Sequence, residues 1–212
     1  MLIATPAAFS LSRMRSRLGL IVLIALILAQ MAPNIVVASS LYAMFSRLAM
    51  NNTYWAVILA DSTAAVPFAI IIMRAFMLSI PRELSEAALV DGAGQWTIFW
   101  KIVVPISRTA LITAALFSFL FGWGDFLFAL ILTNSPHLTP ITVGIYHFIG
   151  AYSTNWNAVM ATATIAACPA IVLLAFAQRY IAPGSHRVQS KSRRFGLLSA
   201  IIPEHTGFTG KP

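Results

Sequence analysis

Polar residues thin out in four places along the chain, at 18–37, 54–76, 110–132 and 156–177, and each gap is about twenty residues long. A helix rises about 1.5 Å per residue, so runs of this length cross the roughly 30 Å hydrocarbon core of a bilayer. The pattern predicts an all-α integral membrane protein with four spans in a transmembrane domain covering 18–180. Residues 1–17 are expected as a cytoplasmic N-terminal segment and 181–212 as a cytoplasmic tail. Arg13, Arg15 and Arg17 stand ahead of the first apolar run as they would in a signal peptide. No convincing small-x-small cleavage site follows and the run continues past signal length, so a retained helix is expected.

The loop at 78–107, between the second and third spans, is too polar to cross and too poor in Gly and Ser to be a flexible linker. It reads as two short helices. Pro81 suits a first helical turn, Glu83 favours the positive end of the helix dipole, and Gly92 with Gly94 supplies a reversal before a second helix that runs to Pro105. Leu84, Ala87 and Ala88 are expected to share one side of the first helix, where small side chains let another protein's surface approach closely.

Composition sharpens this picture. Of 212 residues 59% are hydrophobic and only 9% are charged, which excludes an ordinary soluble domain. The net charge of +8 comes from cations concentrated on one side of the predicted membrane. With the N-terminus inside, only Arg47 among the Lys and Arg residues lies outside, so both termini are expected in the cytoplasm. Tyr54, Trp55, Tyr152 and Trp156 mark an outer interface. A basic balance of this origin implies membrane lipid as a partner and no nucleic acid. The single Cys168 excludes a disulfide framework and is expected to pack between helices; His137 and His147 lack a third ligand at metal-binding spacing. No G-x-x-x-x-G-K-[ST] loop is present, so the chain carries no phosphate-cradling site of that type.

Two acids, Asp61 and Asp125, fall inside spans, where an ionised carboxylate is costly and marks a functional candidate. Their positions on consecutive antiparallel spans put both roughly 10 to 12 Å below the outer boundary, so they could meet. Trp123 and Phe126 flank Asp125 in the third run, and helix packing is the plain reading of these side chains. Gly122, Trp123, Gly124 and Asp125 spell G-x-G-D, and Pro169, Ala170 and Ile171 approach P-A-L. The chain thus faintly resembles the intramembrane aspartyl proteases, in which two carboxylates activate a water, although Ala60 stands where that family usually has Tyr.

A second resemblance fixes more positions. Glu86, Ala87, Ala88, Gly92, Ile102 and Pro105 stand at the spacing of the EAA motif of binding-protein-dependent ABC transporter permeases, with Val104 in place of the usual Leu. Residues 81–93 follow the form P-R-E-L-x-E-A-A-x-x-D-G-A of the maltose-type carbohydrate branch. Trp123 with the run from Asp125 to Leu130 resembles that branch's W-N-E-F-x-x-A-L, and Gly144, Phe148, Gly150, Tyr152 and Trp156 continue the likeness. The resemblance covers roughly 18–180. It implies the type I ABC importer permease fold in a bacterial inner membrane, and a loop helix that couples to a separate ATPase. In that role Glu86 is a polar anchor, Ala87 and Ala88 give close contact, and Asp91 and Gly92 shape the turn. It also implies a second permease subunit, two ATPase subunits that bind ATP and Mg while this chain holds no cofactor of its own, and an extracytoplasmic sugar-binding protein. Under it Trp123, Asp125 and Phe126 are candidates for lining a solute path, with aromatic rings suited to stacking on a sugar. Family members commonly have six spans, so a truncated or degenerate permease without transport activity is the main alternative.

Overall fold

A computed structural model of the chain describes residues 1–14, 16–150 and 153–181; the tail beyond 181, Arg15 and Tyr152 lie outside the described residues. The helices are α1 (Ala4–Arg13), α2 (Arg17–Ala29), α3 (Asn34–Arg47), α4 (Tyr54–Leu78), α5 (Arg82–Val90), α6 (Gln95–Ile98), α7 (Val104–Ile106), α8 (Arg108–Trp123), α9 (Leu127–Leu132), α10 (Ile141–Tyr146) and α11 (Trp156–Ile181). A π-helical stretch, Phe99–Val103, joins α6 to α7. Among the described residues every named element is helical, as the apolar pattern predicts, and one isolated antiparallel bridge links Ile149 with Thr154.

Two helices, Tyr54–Leu78 and Trp156–Gln178, are long and apolar enough to cross a membrane unaided. The run at 18–37 is not one straight span. It divides into α2 and α3, which meet at 95°. Pro33 has no N–H to continue the helix and biases the residue before it away from helical geometry. The run at 110–132 is interrupted as well, at Gly124, Asp125 and Phe126 between α8 and α9.

Helix α4 is the hub. Its N-terminal half places Ala56 and Ala60 in a cluster with Ala38, Phe45, Phe128 and Leu132, and its C-terminal half places Ala69, Ile70, Met73 and Met77 in a second, inner cluster against α1 and α8. In lipid the hydrophobic effect does little between helices, so association depends on close packing, which small residues at the contact permit. Ala4 and Ala8 of α1, Ala56, Ala60 and Ala69 of α4, and Ala110 and Ala114 of α8 are all buried. Phe68 of α4 meets Phe117 and Phe121 of α8 edge to face at 5.6 and 5.4 Å. The entry to α4 is capped by Thr53, whose Oγ1 accepts from the Ala56 amide. Just before it Asn52 adopts a left-handed conformation, φ 61°, donates its backbone N–H to the Leu132 carbonyl and accepts the Asn134 N–H on its side chain. The loop ahead of α4 is thereby pinned to the end of α9.

The N-terminal residues are not a loose segment. They form α1, with Ala4, Ala8 and Leu11 buried on the C-terminal half of α4. Arg74 of α4 donates its Nε to the Leu11 carbonyl at 3.4 Å and so satisfies a late carbonyl of α1. Cys168 also departs from expectation: its thiol is exposed and donates to Thr164 of its own helix.

Candidate functional site

The loop between α4 and α8 is an ordered pair of short helices. Pro81 is the residue before α5, one position earlier than a first-turn proline, and Glu83 lies in the first turn as its charge favours. The exit from α5 is closed by two hydrogen bonds: the Ala93 N–H reaches the Ala88 carbonyl at 2.9 Å and the Gly92 N–H reaches the Leu89 carbonyl at 3.0 Å. This is the Schellman arrangement, which needs a left-handed residue at its second position, and Gly92 supplies it with φ 82°. A side chain at Gly92 would meet no atom, so the conformation alone calls for glycine. Asp91 is the C-cap, next to it. Beyond the turn, Pro105 can offer no N–H to the Lys101 carbonyl, and the turn ahead of it widens into the π-helical stretch. The chain then bends by 77° into α8.

Burial divides α5 into two faces. Ser85 is buried and Ala88 is half-buried, packed with Ala93 against the inner cluster. Glu86 and Ala87 are exposed, together with Leu84, Leu89 and Val90, the last at 88%. The two alanines that were expected to act together face different ways: Ala88 serves the contact of α5 with its own protein, and Ala87 belongs to the free face. At the buried side Arg13 donates Nη2 to Ser85 Oγ at 2.7 Å. Burial, then the nearby Arg82 charge, draw the Arg13 guanidinium below its usual range, and Glu86 draws it back up. Arginine starts so high that it remains charged at neutral pH. No feature of the sequence pairs Arg13 with Ser85, because the two are 72 residues apart.

The membrane-embedded candidates separate into two groups. Asp125 and Phe126 line a cavity of about 440 Å³ together with Asp61, Gln30 and Asn34, so the two acids do reach one space. Helices α4 and α8 approach closely there, since a Cβ on Gly122 would sit 3.4 Å from Asp61 Oδ2. Gln30 and Asn34 went unnoticed in the sequence because they lie where the first apolar run breaks. Both oxygens of Asp125 are engaged by its own backbone: Oδ1 accepts from the Phe128 N–H at 3.2 Å and Oδ2 from the Ala129 N–H at 2.8 Å. From one residue ahead of the N-cap position, Phe126, the Asp125 side chain therefore serves the first amides of α9 at the break in the third apolar run, as a capping group does. Its carbonyl also accepts the Thr142 hydroxyl, and Phe126 stands edge to face with Tyr146 of α10 at 5.7 Å.

Trp123 does not line that cavity. It stacks on Phe119 at 5.5 Å and donates its indole N–H to the Ala166 carbonyl of α11 at 2.9 Å. Pro169 withholds its N–H from the Ile165 carbonyl, so the indole bond to the neighbouring Ala166 lies beside the break in the α11 ladder. Trp123→Phe keeps the stack and loses the bond. The expected cost is about 1 kcal/mol, read as a fall of roughly 2–4 °C in thermal unfolding with faster amide exchange around 166–170.

Comparisons with known proteins agree with this architecture. The family described as "Binding-protein-dependent transport system inner membrane component" matches residues 1–187, so the likeness begins at α1 and not at 18. The chain is 35% identical over 86% of its length to a probable ABC transporter permease protein, y4oR, of Sinorhizobium fredii, and 37% identical over 68% of its length to a probable ABC transporter permease protein, YurM, of Bacillus subtilis. It is 30% identical over 86% of its length to the trehalose/maltose transport system permease protein MalG of Thermococcus litoralis. The chain spans 65%, 48% and 66% of these three relatives. Its fold superposes on a chain of a bacterial ABC transporter involved in import of the acidic polysaccharide alginate with a TM-score of 0.69, at 21% identity, covering 84% of this chain and 67% of that one. The protease resemblance rested on three positions and is superseded by a match over most of the chain. This chain belongs to the family of binding-protein-dependent transport system inner membrane components.

Proposed function

We propose that the chain is the transmembrane permease subunit of an ATP-driven, binding-protein-dependent importer whose cargo is a sugar or sugar derivative. The observation that carries this reading is α5: a short helix closed at its exit by a Schellman turn, backed by the inner cluster through Ala88 and free on the face that bears Glu86 and Ala87. A rigid lever with one free face suits rigid-body transmission, because a push on that face moves helices, whereas a pliable loop would absorb it. The partner on that face is a separate ATPase, which binds ATP and Mg and hydrolyses the nucleotide; a second permease subunit completes the pathway, and an extracytoplasmic binding protein selects the sugar. The sugar class is supported by the MalG relative's name. Both termini and α5 lie on the cytoplasmic side in this reading, in keeping with the cation distribution.

The test is purification of the tagged chain from its native membrane in mild detergent, with identification of co-purifying proteins and uptake of labelled sugars by the reconstituted complex. Recovery of an ATPase, a second permease and a sugar-binding protein, together with ATP-dependent uptake, is the expected result. A chain that emerges alone and supports no uptake would favour the degenerate permease.

A further inference from the structure

Helix α5 joins the rest of the chain covalently only at its ends, through residues 79–81 and the turn at 91–94. A third attachment enters from its buried face. Ser85, 8% exposed, receives the Arg13 guanidinium, which also lies over the Phe9 ring at 5.5 Å from the centroid. Phe9 in turn packs on Phe99 of the π-helical stretch at 5.3 Å. The Arg13 side chain is therefore held by its own helix, with Phe9 braced on the second half of the loop, while it grips α5 in the middle. Behind it α1 is seated on α4 through Ala4, Ala8, Leu11 and the Arg74 bond to the Leu11 carbonyl.

We infer that Arg13 is a positioning residue that makes α5 move as one body with α1 and α4, so that force on the free face of α5 displaces the transmembrane helices and does not merely tilt the loop. The inference rests on the transport reading and adds to it the route by which movement leaves the loop. Two end attachments and a single apolar contact through Ala88 leave the helix able to rock about the line joining its ends. A charged hydrogen bond on its buried side opposes that rotation, and such bonds are stronger than neutral ones. The guanidinium suits the task because its planar fork is preorganised and stays charged while lying on an aromatic face.

The experiment uses the complete complex that contains this chain, with ATP hydrolysis and solute uptake measured in the same proteoliposomes. Arg13→Ala is expected to keep hydrolysis within about twofold of the parent while uptake per ATP falls about tenfold. Ser85→Ala should produce a similar fall, and the double variant should fall no further, since each single change already breaks the same bond. Arg13→Lys, which keeps the charge and a donor, should recover part of the loss. Parallel loss of hydrolysis, uptake and membrane level in Arg13→Ala would mark a general structural role and overturn the inference. Unchanged uptake per ATP in Arg13→Ala beside a transporting parent would overturn it equally. A parent complex that hydrolyses ATP and moves no solute would strike the transport reading itself, and the positioning role would fall with it.

Discussion

Ala87→Arg is expected to abolish uptake, by at least ~100-fold, while the chain still inserts in the membrane at parent levels and unfolds at nearly the parent temperature. Both halves follow from the placement of Ala87. The residue is exposed in the middle of α5 and contributes nothing to either core cluster. Arginine is nearly as good a helix former as alanine, and surface substitutions away from special features cost roughly 0.5 kcal/mol or less. Against a closely seated partner the same side chain must be accommodated where only a methyl group stood. Overpacking a tight contact costs about 1–3 kcal/mol and sometimes more, and 2.7 kcal/mol is already a hundredfold. Ala88→Arg provides the contrast. That residue packs with Ala93 against the inner cluster, so the arginine should lower the amount of folded chain before docking is even at issue. The measurements are membrane level, thermal unfolding, co-purification of the ATPase and uptake, in that order. Normal uptake by Ala87→Arg would mean that no partner seats on this face of α5, and the coupling role would have to be sought elsewhere on the loop.

The different fates of Ala87 and Ala88 show what a sequence pattern can and cannot convey. Adjacent residues on a helix point about 100° apart, so both cannot lie at the centre of one face. Which of them is free depends on where the body of the protein lies, and that is a tertiary fact. The turn after α5 was legible because its requirement is local: a left-handed position wants glycine, and Gly92 stands there after a run of good helix formers. The long apolar runs were legible because hydropathy summed over twenty residues leaves little ambiguity. The same summation hid the breaks within them. Pro33, and the pair Gly124 and Asp125, are local stop and start signals that disappear when a window is averaged, and they convert two expected straight spans into bent or interrupted ones.

Helix α1 was illegible for a different reason. Ten residues containing a threonine, two serines and an arginine look like a polar lead-in, and such a piece is too short to be a stable helix alone. Its order comes from Ala4, Ala8 and Leu11 meeting α4 some sixty residues later. The family match includes α1, in keeping with this packing. Contacts of that separation leave no periodic trace in one sequence. The Arg13 bond to Ser85 belongs to the same class, and so does the cavity that gathers Gln30, Asn34, Asp61 and Asp125 from three different apolar runs.

Asp125→Ala is expected to destabilise the chain by about 2–4 kcal/mol, the largest stability effect among the site residues, with uptake lost as a consequence of misplacing α9. One N-cap is typically worth about 0.5–2 kcal/mol, and hydrogen bonds to a charged acceptor about 1.5–3 kcal/mol. Here a single carboxylate serves two amides, those of Phe128 and Ala129, at the start of a helix only six residues long. Without it both N–H groups lose their acceptor at the first turn of α9. The effect should spread, because the end of α9 holds the loop that starts α4 through the Asn52 bond to Leu132. Asp125→Asn separates capping from cargo binding. An asparagine retains one acceptor oxygen and turns an NH₂ group toward the other amide, so its thermal stability should fall between those of the parent and Asp125→Ala. Were Asp125 chiefly a ligand for cargo, both variants would unfold with the parent and differ from it only in uptake. Thermal unfolding of the three proteins in one detergent decides the matter: a graded series supports the cap, and three coincident curves would return Asp125 to the solute path.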